Sequence, residues 1–525
     1  MRPVRAFIPV LLLAVSAPAL AVPPANLDKT VESLRQKIGA AGVSIAIVEK
    51  GQTTLARGWG VRKLGEPTPV DAQTIFQTGS TGKAMTAAAL AVLVDDGKIA
   101  WDDPVIKHMP WFRMYDPWVT REITIRDLLV HRSGLGLGQG DLMMVPRSNR
   151  TRRETVAAVA HLKPRTSFRS AYAYDNILYA VAGQLIEEVS GQRWEDFIRA
   201  RVLRAGGMMN ATSDNEERFQ TANRSFPHAR VDGPLRGLGP QKVLDERDEL
   251  GRNAAPAGGL ALSANDMAAW LKIQLAHGAL PGGGRLFSEK QALEMWKPVT
   301  IMPITPLPET LKPAQPTFQA YALGWQVQDY RGHKILQHGG AVFGSITRVV
   351  MIPDRDIAFA IMMNSEDSGM MLGLTYTLID HYLGVADPGW IKRWEDWYQA
   401  RLEGGRQFLA KAQASPAKAG PSKPLAGYAG RYRDPWYGDV VVRAAGDGLS
   451  IDFTATPNMV GRLKHWQYDS FVTAFDDKAL EPAYVTFALD ADGKVSGVTM
   501  KAVNPVVDFS WDYQDLELKP VEEGK

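Results

Sequence analysis

Ser80-Thr81-Gly82-Lys83 sets a hydroxyl three residues before an amine, at the head of an apolar run. On a helix, positions three apart share a face. A serine hydroxyl is a weak nucleophile until a neighbouring base takes its proton, and a lysine held beside it can be that base. The chemistry such a pair could do is acyl transfer. The spacing alone is not selective, since a chain of this length holds about one or two such matches by chance. The chain supplies its own control in Ser415-Pro416-Ala417-Lys418, which lies in a Pro/Ala/Lys stretch that reads as a linker and would not hold the two side chains together.

Two more groups follow Ser80 in order. Tyr174-Asp175-Asn176 opens a predicted helix 94 residues on, and His338-Gly339-Gly340 comes 164 residues later, between strand-like runs. Singly, Tyr-x-Asn reads as a helix N-terminus with an asparagine cap, and His-Gly-Gly reads as a turn. Their order and spacing behind Ser80 make a candidate site of the three.

The elements that must position these groups alternate between helix and strand from about residue 27 to 385. Residues 43–48 are rich in β-branched side chains and predict a strand. Residues 84–94 predict a mostly buried helix stopped at Asp95-Asp96-Gly97. Further helices are predicted at 125–130, stopped by Ser133-Gly134, and at 176–189, stopped by Gly191. Later strands are expected at 321–327, 347–352 and 357–362. Two stretches read as long loops, 229–253 and the proline-rich 300–318. Such loops serve as substrate walls or lids, or are plain surface insertions.

Residues 390–412 are charged, aromatic and helical in character, and 414–424 carry Pro416, Pro421 and Pro424 as a linker. Beyond it, 427–518 hold short alternating runs such as 440–443, 485–489 and 495–500, separated by turn signals, which predict a small all-β domain. The division expected is 1–21, 22–388, 389–424 and 425–525: a leader, an α/β (α+β) domain, a helix with linker, and the β-domain.

The leader comes from Arg2 and Arg5, an apolar run at 6–15 and the small residues Ala19-Leu20-Ala21, the layout of a secretory signal peptide cut after Ala21. The run is shorter than the ~20 apolar residues of a membrane span. A secreted or periplasmic protein without stable membrane insertion is expected. There is no cysteine, which excludes disulfides and thiolate metal sites. Losing the two leader arginines takes the formal charge from +3 to +1, which argues against a nucleic-acid partner. The cluster Arg147, Arg150, Arg152 and Arg153 reads as a solvated loop, with a patch for an acidic substrate as the alternative.

Taken as a set, five stretches resemble the serine β-lactamase and penicillin-binding-protein superfamily, in the branch of class C β-lactamases, D,D-carboxypeptidases, D-aminopeptidases and esterases. They are residues 76–83 around Ser80, 125–134, Tyr174-Asp175-Asn176, Ala257-Gly258-Gly259-Leu260-Ala261-Leu262-Ser263, and His338-Gly339-Gly340. The segment beginning Leu425-Ala426-Gly427-Tyr428 is similar to the lipocalin-like domain of some serine hydrolases of this branch, for which relatives suggest a substrate-gating role. The resemblance implies a β-lactamase/transpeptidase-like domain with a central antiparallel sheet flanked by helices, and it implies roles. Ser80 would attack a carbonyl and form an acyl-enzyme. Lys83 and Tyr174 would jointly be the base, with Tyr174 also the proton donor to the leaving group. Asn176 would hold the substrate amide or Lys83. The oxyanion would lie against the backbone of Ser80 and Ala341, with Gly339 and Gly340 allowing close approach. His338 stands where many relatives have a lysine. A mostly neutral histidine suits a peptide or ester better than the carboxylate of a β-lactam.

Other chemistries lack their residues. No G-x-S-x-G occurs, no H-x-x-x-H pair is found among the nine histidines, and Gly82-Lys83 lacks the upstream glycine of a phosphate loop. No metal or cofactor is implied, and the expected partner is a small-molecule or peptide substrate. The favoured reading is an exported serine hydrolase of D-amino-acid-containing peptides or esters. A class C-like β-lactamase and a non-catalytic protein binding peptidoglycan fragments or an apolar ligand are the alternatives.

Overall fold

The computed structural model describes residues 22–247, 250–413, 417, 419–446 and 448–522. The candidate leader lies outside the described residues, and so do Ser415, Pro416 and Lys418 of the control match.

The strand Gly42–Glu49 (β1) is buried along its whole length because both faces are covered. Side chains alternate across a strand. Val43, Ile45 and Ile47 join one apolar cluster, and Ala46 and Val48 join the other. The remaining strands of this sheet are Gln52–Gly60 (β2), Thr300–Ile301 (β3), Gln319–Tyr321 (β4), Gln326–Tyr330 (β5), His333–Val342 (β6), Ser345–Ile352 (β7) and Ile357–Met363 (β8). Their order is β2-β1-β8-β7-β6-β5-β4-β3, with every neighbour antiparallel. The register sets Ile45 opposite Ile361, and His338 opposite Val349.

One face of the sheet packs against helices Leu27–Ile38 (α1), Ser368–Leu383 (α5) and the start of Trp390–Gln413 (α6). The other packs against Ala264–Leu275 (α4), and Lys83–Asp95 (α2) and Ile177–Ser190 (α3), which pack on each other, join the same apolar cluster. In α2 every residue from Lys83 to Leu93 is buried, as expected for a helix apolar on all sides.

Several expectations are corrected. Residues 125–130 hold only a 3₁₀ turn, Asp127–Leu129, because the buried Asp127 carboxylate accepts from Thr124 N and is paired with Arg132 and Arg169. The single strand predicted at 321–327 is two, split at Gly324, whose φ of 80° lets the chain pass against the backbone of Lys83 and Ala84. Of the two predicted loops, 229–253 carries part of a short pair, His228–Ala229 with Lys242–Val243, and 300–318 carries the edge strand β3 and a 3₁₀ turn, Glu309–Ala314. The arginine cluster is not a solvated loop as a whole. Arg152 is buried between Glu187 and Glu195, and Arg150 donates to the carbonyls of Trp436 and Tyr437 in the β-domain.

The C-terminal region is a meander of eight antiparallel strands: Gly430–Asp434 (β9), Gly438–Ala445 (β10), Gly448–Phe453 (β11), Val460–Gln467 (β12), Ser470–Phe475 (β13), Ala483–Leu489 (β14), Val495–Ala502 (β15) and Lys519–Pro520 (β16). β16 pairs with β9, and a bridge from Val498 to Leu518 brings β15 beside it, so the barrel is nearly closed. Tyr428, Phe453, Phe471 and Phe487 fill the interior. Among the described residues no helix is long and apolar enough to cross a membrane.

Candidate active site

Ser80 lies in a 3₁₀ turn, Gly79–Gly82, that runs directly into α2, so Lys83 is the first residue of that helix. The turn is gripped on both sides by backbone. Gly79 has a φ of 49°, and a Cβ there would come within 2.6 Å of Ala341 N. A Cβ on Gly340 would lie 2.1 Å from Thr78 O, and one on Gly258 3.0 Å from the carbonyl carbon of Gly79. Only glycine allows these approaches. They pack the backbone of residues 340–341 against that of 78–81, and Ser80 and Ala341 both line the neighbouring cavity.

Lys83 is completely buried. Its Nζ lies 2.9 Å from Ser80 Oγ, 2.6 Å from Asn176 Oδ1 and 2.8 Å from Ala257 O. The rings of Tyr174 and Tyr179 stand 4.9 and 5.1 Å away. Burial pushes the amine down to a pKa of about 7, against the opposing pull of Asp141 and Asp175. Of the three oxygens, the amide and carbonyl can only accept, whereas the serine hydroxyl can donate. A neutral Lys83 therefore spends its two hydrogens on Asn176 and Ala257 and turns its lone pair to Ser80.

Asn176 occupies the N-terminal capping position of α3, yet its side chain makes no capping bond. It spans the site, with Oδ1 toward Lys83 and Nδ2 donating to Asp141 Oδ2 at 2.7 Å. The helix-cap reading of Tyr-x-Asn is thus overturned.

Tyr174 is buried with its ring 4.1 Å from that of His131. Its buried hydroxyl has Ser80 as its polar neighbour, and burial raises its pKa well above the ordinary value against that neighbour's opposing pull. The phenol is therefore neutral at working pH.

His338 is also buried. Its Nδ1 lies 2.6 Å from Gly339 O and its Nε2 2.7 Å from the Tyr321 hydroxyl. A carbonyl only accepts, so Nδ1 carries the hydrogen and Nε2 accepts from the tyrosine. Burial and the nearby Lys83 charge hold its pKa down at about 3. The ring does not face the cavity as a substrate-binding group would. It stands behind the site, in an aromatic wall with Tyr174 and Tyr321.

The cavity has a volume of about 640 Å³. Of the sequence-derived candidates, Ser80, Asn176 and Ala341 line it, while Lys83, Tyr174, His338 and the two glycines lie behind. Its walls are largely apolar: Leu137, Met144, Leu250 and Phe343 from the first domain, and Val506, Phe509 and Trp511 from the barrel. Trp511 stacks on Phe343 with centroids 5.6 Å apart, and Phe509 meets Tyr174 edge-on at the same distance. Asp512 accepts from Gly140 N at 2.6 Å and Leu142 N at 3.0 Å, and Ser510 Oγ donates to Asp141 at 2.8 Å. Asp141, Ala257 O, Ser510 and Phe509 were not singled out from the sequence. Ala257 sat inside a recognised stretch, but no local pattern marks the others. Among the described residues there is no cluster of side chains able to hold a metal ion.

Comparison with known proteins agrees with this architecture. The family model described as Beta-lactamase matches residues 27–383, and a domain of unknown function, DUF3471, matches 414–520. The unguisins hydrolase ungD' of Aspergillus campestris is 30% identical over 424 residues, covering 76% of this chain and 74% of that protein. Penicillin-binding protein 4 of Amycolatopsis lactamdurans is 27% identical over 369 residues, covering 69% of this chain and 91% of the relative. The structure of D-amino acid amidase from Ochrobactrum anthropi SV3 superposes with a TM-score of 0.54 at 22% identity, over 69% of this chain and 98% of the amidase, a likeness of fold. With the family match spanning most of the chain, and with helices on both faces of an antiparallel sheet around Ser80 and Lys83, the chain belongs to the beta-lactamase family of serine hydrolases.

Proposed function

We propose that the protein cleaves an amide or ester through an acyl-enzyme on Ser80, with D-amino-acid-containing peptides or esters as its preferred substrates. The observation that carries this reading is the three-way contact of Lys83, which leaves a neutral amine one direction for its lone pair, toward Ser80 Oγ. As Oγ bonds to the substrate carbonyl carbon, its proton passes to Nζ. The carbonyl oxygen becomes the oxyanion, with the N–H groups of Ser80 and Ala341 as its donors. Tyr174, kept neutral by burial, gives its proton to the leaving amine or alkoxide and recovers one from Lys83. Water then attacks the ester, its proton goes to Lys83, and Ser80 Oγ regains a proton as it leaves. In this assignment Lys83 is the base and Tyr174 the acid, dividing the joint role.

The largely apolar cavity suits an apolar acyl or side-chain group. The similarity to a protein named as an unguisins hydrolase agrees with hydrolysis, and the shared fold with a D-amino acid amidase agrees with an amide substrate. The neutral His338 brings no charge for a β-lactam carboxylate. The aromatic filling of the barrel speaks against a barrel-borne apolar ligand. Export with cleavage after Ala21 belongs to the same proposal, and N-terminal sequencing of the mature protein would check it.

The deciding experiment treats purified protein with a fluorophosphonate and reads intact mass, beside a panel of D-amino-acid amides, short p-nitrophenyl esters and a chromogenic cephalosporin. One adduct at Ser80, lost in Ser80→Ala, with ester or D-amide turnover exceeding cephalosporin turnover, is expected. Hydrolysis unchanged in Ser80→Ala would overturn the acyl-enzyme, and preferential cephalosporin turnover would replace the substrate reading with the β-lactamase one.

A further inference from the structure

Asp141 lies outside every motif and is completely buried. Its Oδ2 accepts two hydrogen bonds, from Asn176 Nδ2 at 2.7 Å and from Ser510 Oγ at 2.8 Å, and its Oδ1 is buried without a partner. One donor belongs to the head of α3 and the other to the barrel. Through Asn176 the carboxylate is two hydrogen bonds from Lys83 Nζ.

The two ends of an asparagine amide differ chemically but scarcely in shape, so something must fix which end faces Lys83. Burial pushes the Asp141 carboxyl up to about 7, against the hydrogen bonds from Asn176 and Ser510. Oδ2, which takes both of those bonds, acts only as an acceptor when the carboxyl is ionised, so Asp141 then demands the NH₂ of Asn176 and aims its oxygen at Lys83. The alternative orientation would aim an amide hydrogen at the neutral amine. The lone pair would then be occupied by Asn176, and Ser80 would keep its proton.

We propose that Asp141 is a positioning residue that fixes the Asn176 amide so that the Lys83 lone pair is reserved for Ser80, and that barrel Ser510 completes this arrangement. The inference rests on the acyl-enzyme reading above and adds a condition to it: the base is correctly set only while the barrel segment carrying Ser510 is docked. Asp512 reinforces the docking by accepting from Gly140 N and Leu142 N on either side of Asp141. The charged and titratable groups around Asp141 are Lys83 and Tyr174 from the first domain and Asp508 and Asp512 from the barrel. Asp175, His131 and His338 face Lys83 from its other sides.

The test compares the full-length protein with Asp141→Asn, Ser510→Ala and Ser510→Thr, each counted by fluorophosphonate titration and assayed on one ester from pH 5 to 9. Asp141→Asn should lower kcat by about 100-fold with KM within about threefold, the scale of a misplaced catalytic group. Because the Asp141 charge raises the Lys83 pKa, its removal should also move the acid limb of kcat/KM to lower pH, a displacement that a purely structural defect would not produce. Ser510→Ala should cost about tenfold in kcat, the scale of a lost hydrogen bond to a charged group, and Ser510→Thr should restore it. Wild-type kcat and an unmoved acid limb in Asp141→Asn would overturn the positioning role. Should that variant fail to fold, unchanged kcat in Ser510→Ala would overturn the proposal on its own. A wild-type enzyme whose hydrolysis survives Ser80→Ala would instead remove the underlying acyl-enzyme reading.

Discussion

The molecule contains two eight-stranded antiparallel sheets that solve the same problem differently. The first stays open, and needs helices on both faces to bury it. The second curls until β15 meets β16, and buries its inner face against itself. The open sheet has room between β6 and the helix α2 for the turn that carries Ser80, with the Lys83 amine behind it. The barrel interior is taken up by Tyr428, Phe453, Phe471 and Phe487, and the domain's contribution to the site comes from residues outside the strands, Glu481 and the segment 504–512. The difference teaches where chemistry can sit: at the seam of an open layered fold, with the closed unit supplying a wall and a clamp.

If that division is right, substitutions in the two regions should separate chemistry from stability. The largest effect is expected for Lys83→Met, which removes the base and should lower kcat by about 10⁴-fold, the scale of losing one member of a catalytic unit. Measured on fluorophosphonate-titrated enzyme, activity within tenfold of wild type would contradict the assignment of Lys83. Next comes Phe487→Ala inside the barrel, where a buried ring packs on Tyr428, Tyr432 and Phe471. Its loss should cost about 3–5 kcal/mol of stability. In denaturant titration of the barrel transition the midpoint should fall, while kcat of the folded enzyme stays unchanged. A fall in kcat of the folded enzyme would show that the barrel core, and not only its clamp, shapes the site.

The third expectation is a pH dependence that belongs to the open sheet. Lys83 must be neutral to take the Ser80 proton, and its pKa lies near 7. The amine charges as pH falls through that value, so kcat/KM should drop by about tenfold for each unit below 7 and level off above it. His338, held at about 3, and Tyr174, held high, do not titrate across this window, whereas Asp141, pushed up by burial to about 7, does, so the limb belongs to the Lys83–Asp141 pair. An activity flat from pH 5 to 8 would mean that Lys83 is not the titrating base.

The same division shows what a sequence makes legible. β1 is legible because a strand covered on both faces favours the β-branched side chains Val43, Ile45, Ile47 and Val48, and α2 because a fully buried helix is apolar on nearly every side. Ser80 and Lys83 are legible from a spacing that one helical turn enforces, and Tyr174 and Asn176 from their order behind it and the family resemblance that the set carries. The failures share a physical cause, which is that a distant contact overrode the local pattern. Asp127, drawn inward to Arg132 and Arg169, reduces a predicted helix to a turn, and Gly324, pressed on Lys83 and Ala84, splits a predicted strand. Asn176 has the local look of a cap, but a buried lysine and a carboxylate claim its side chain. Asp141 and Ser510 lie 369 residues apart, so neither carries a sign of the other.

The smallest effect expected is also the sharpest test of the barrel as a wall. Phe509 extends from the barrel to meet Tyr174 edge-on at 5.6 Å and lines the cavity beside Ser80. A phenyl ring gives no hydrogen bond to Lys83, Ser80 or Asn176, so Phe509→Ala should leave kcat on a small acetyl ester within about twofold. For an ester with a bulky aromatic acyl group, KM should rise by about fivefold, the scale of one lost aromatic contact. Equal change for both esters would make Phe509 a support of Tyr174 rather than a surface for substrate. The seam would then be chemical on both sides, and the contrast between an open sheet that reacts and a closed barrel that bounds would have to be redrawn around Tyr174.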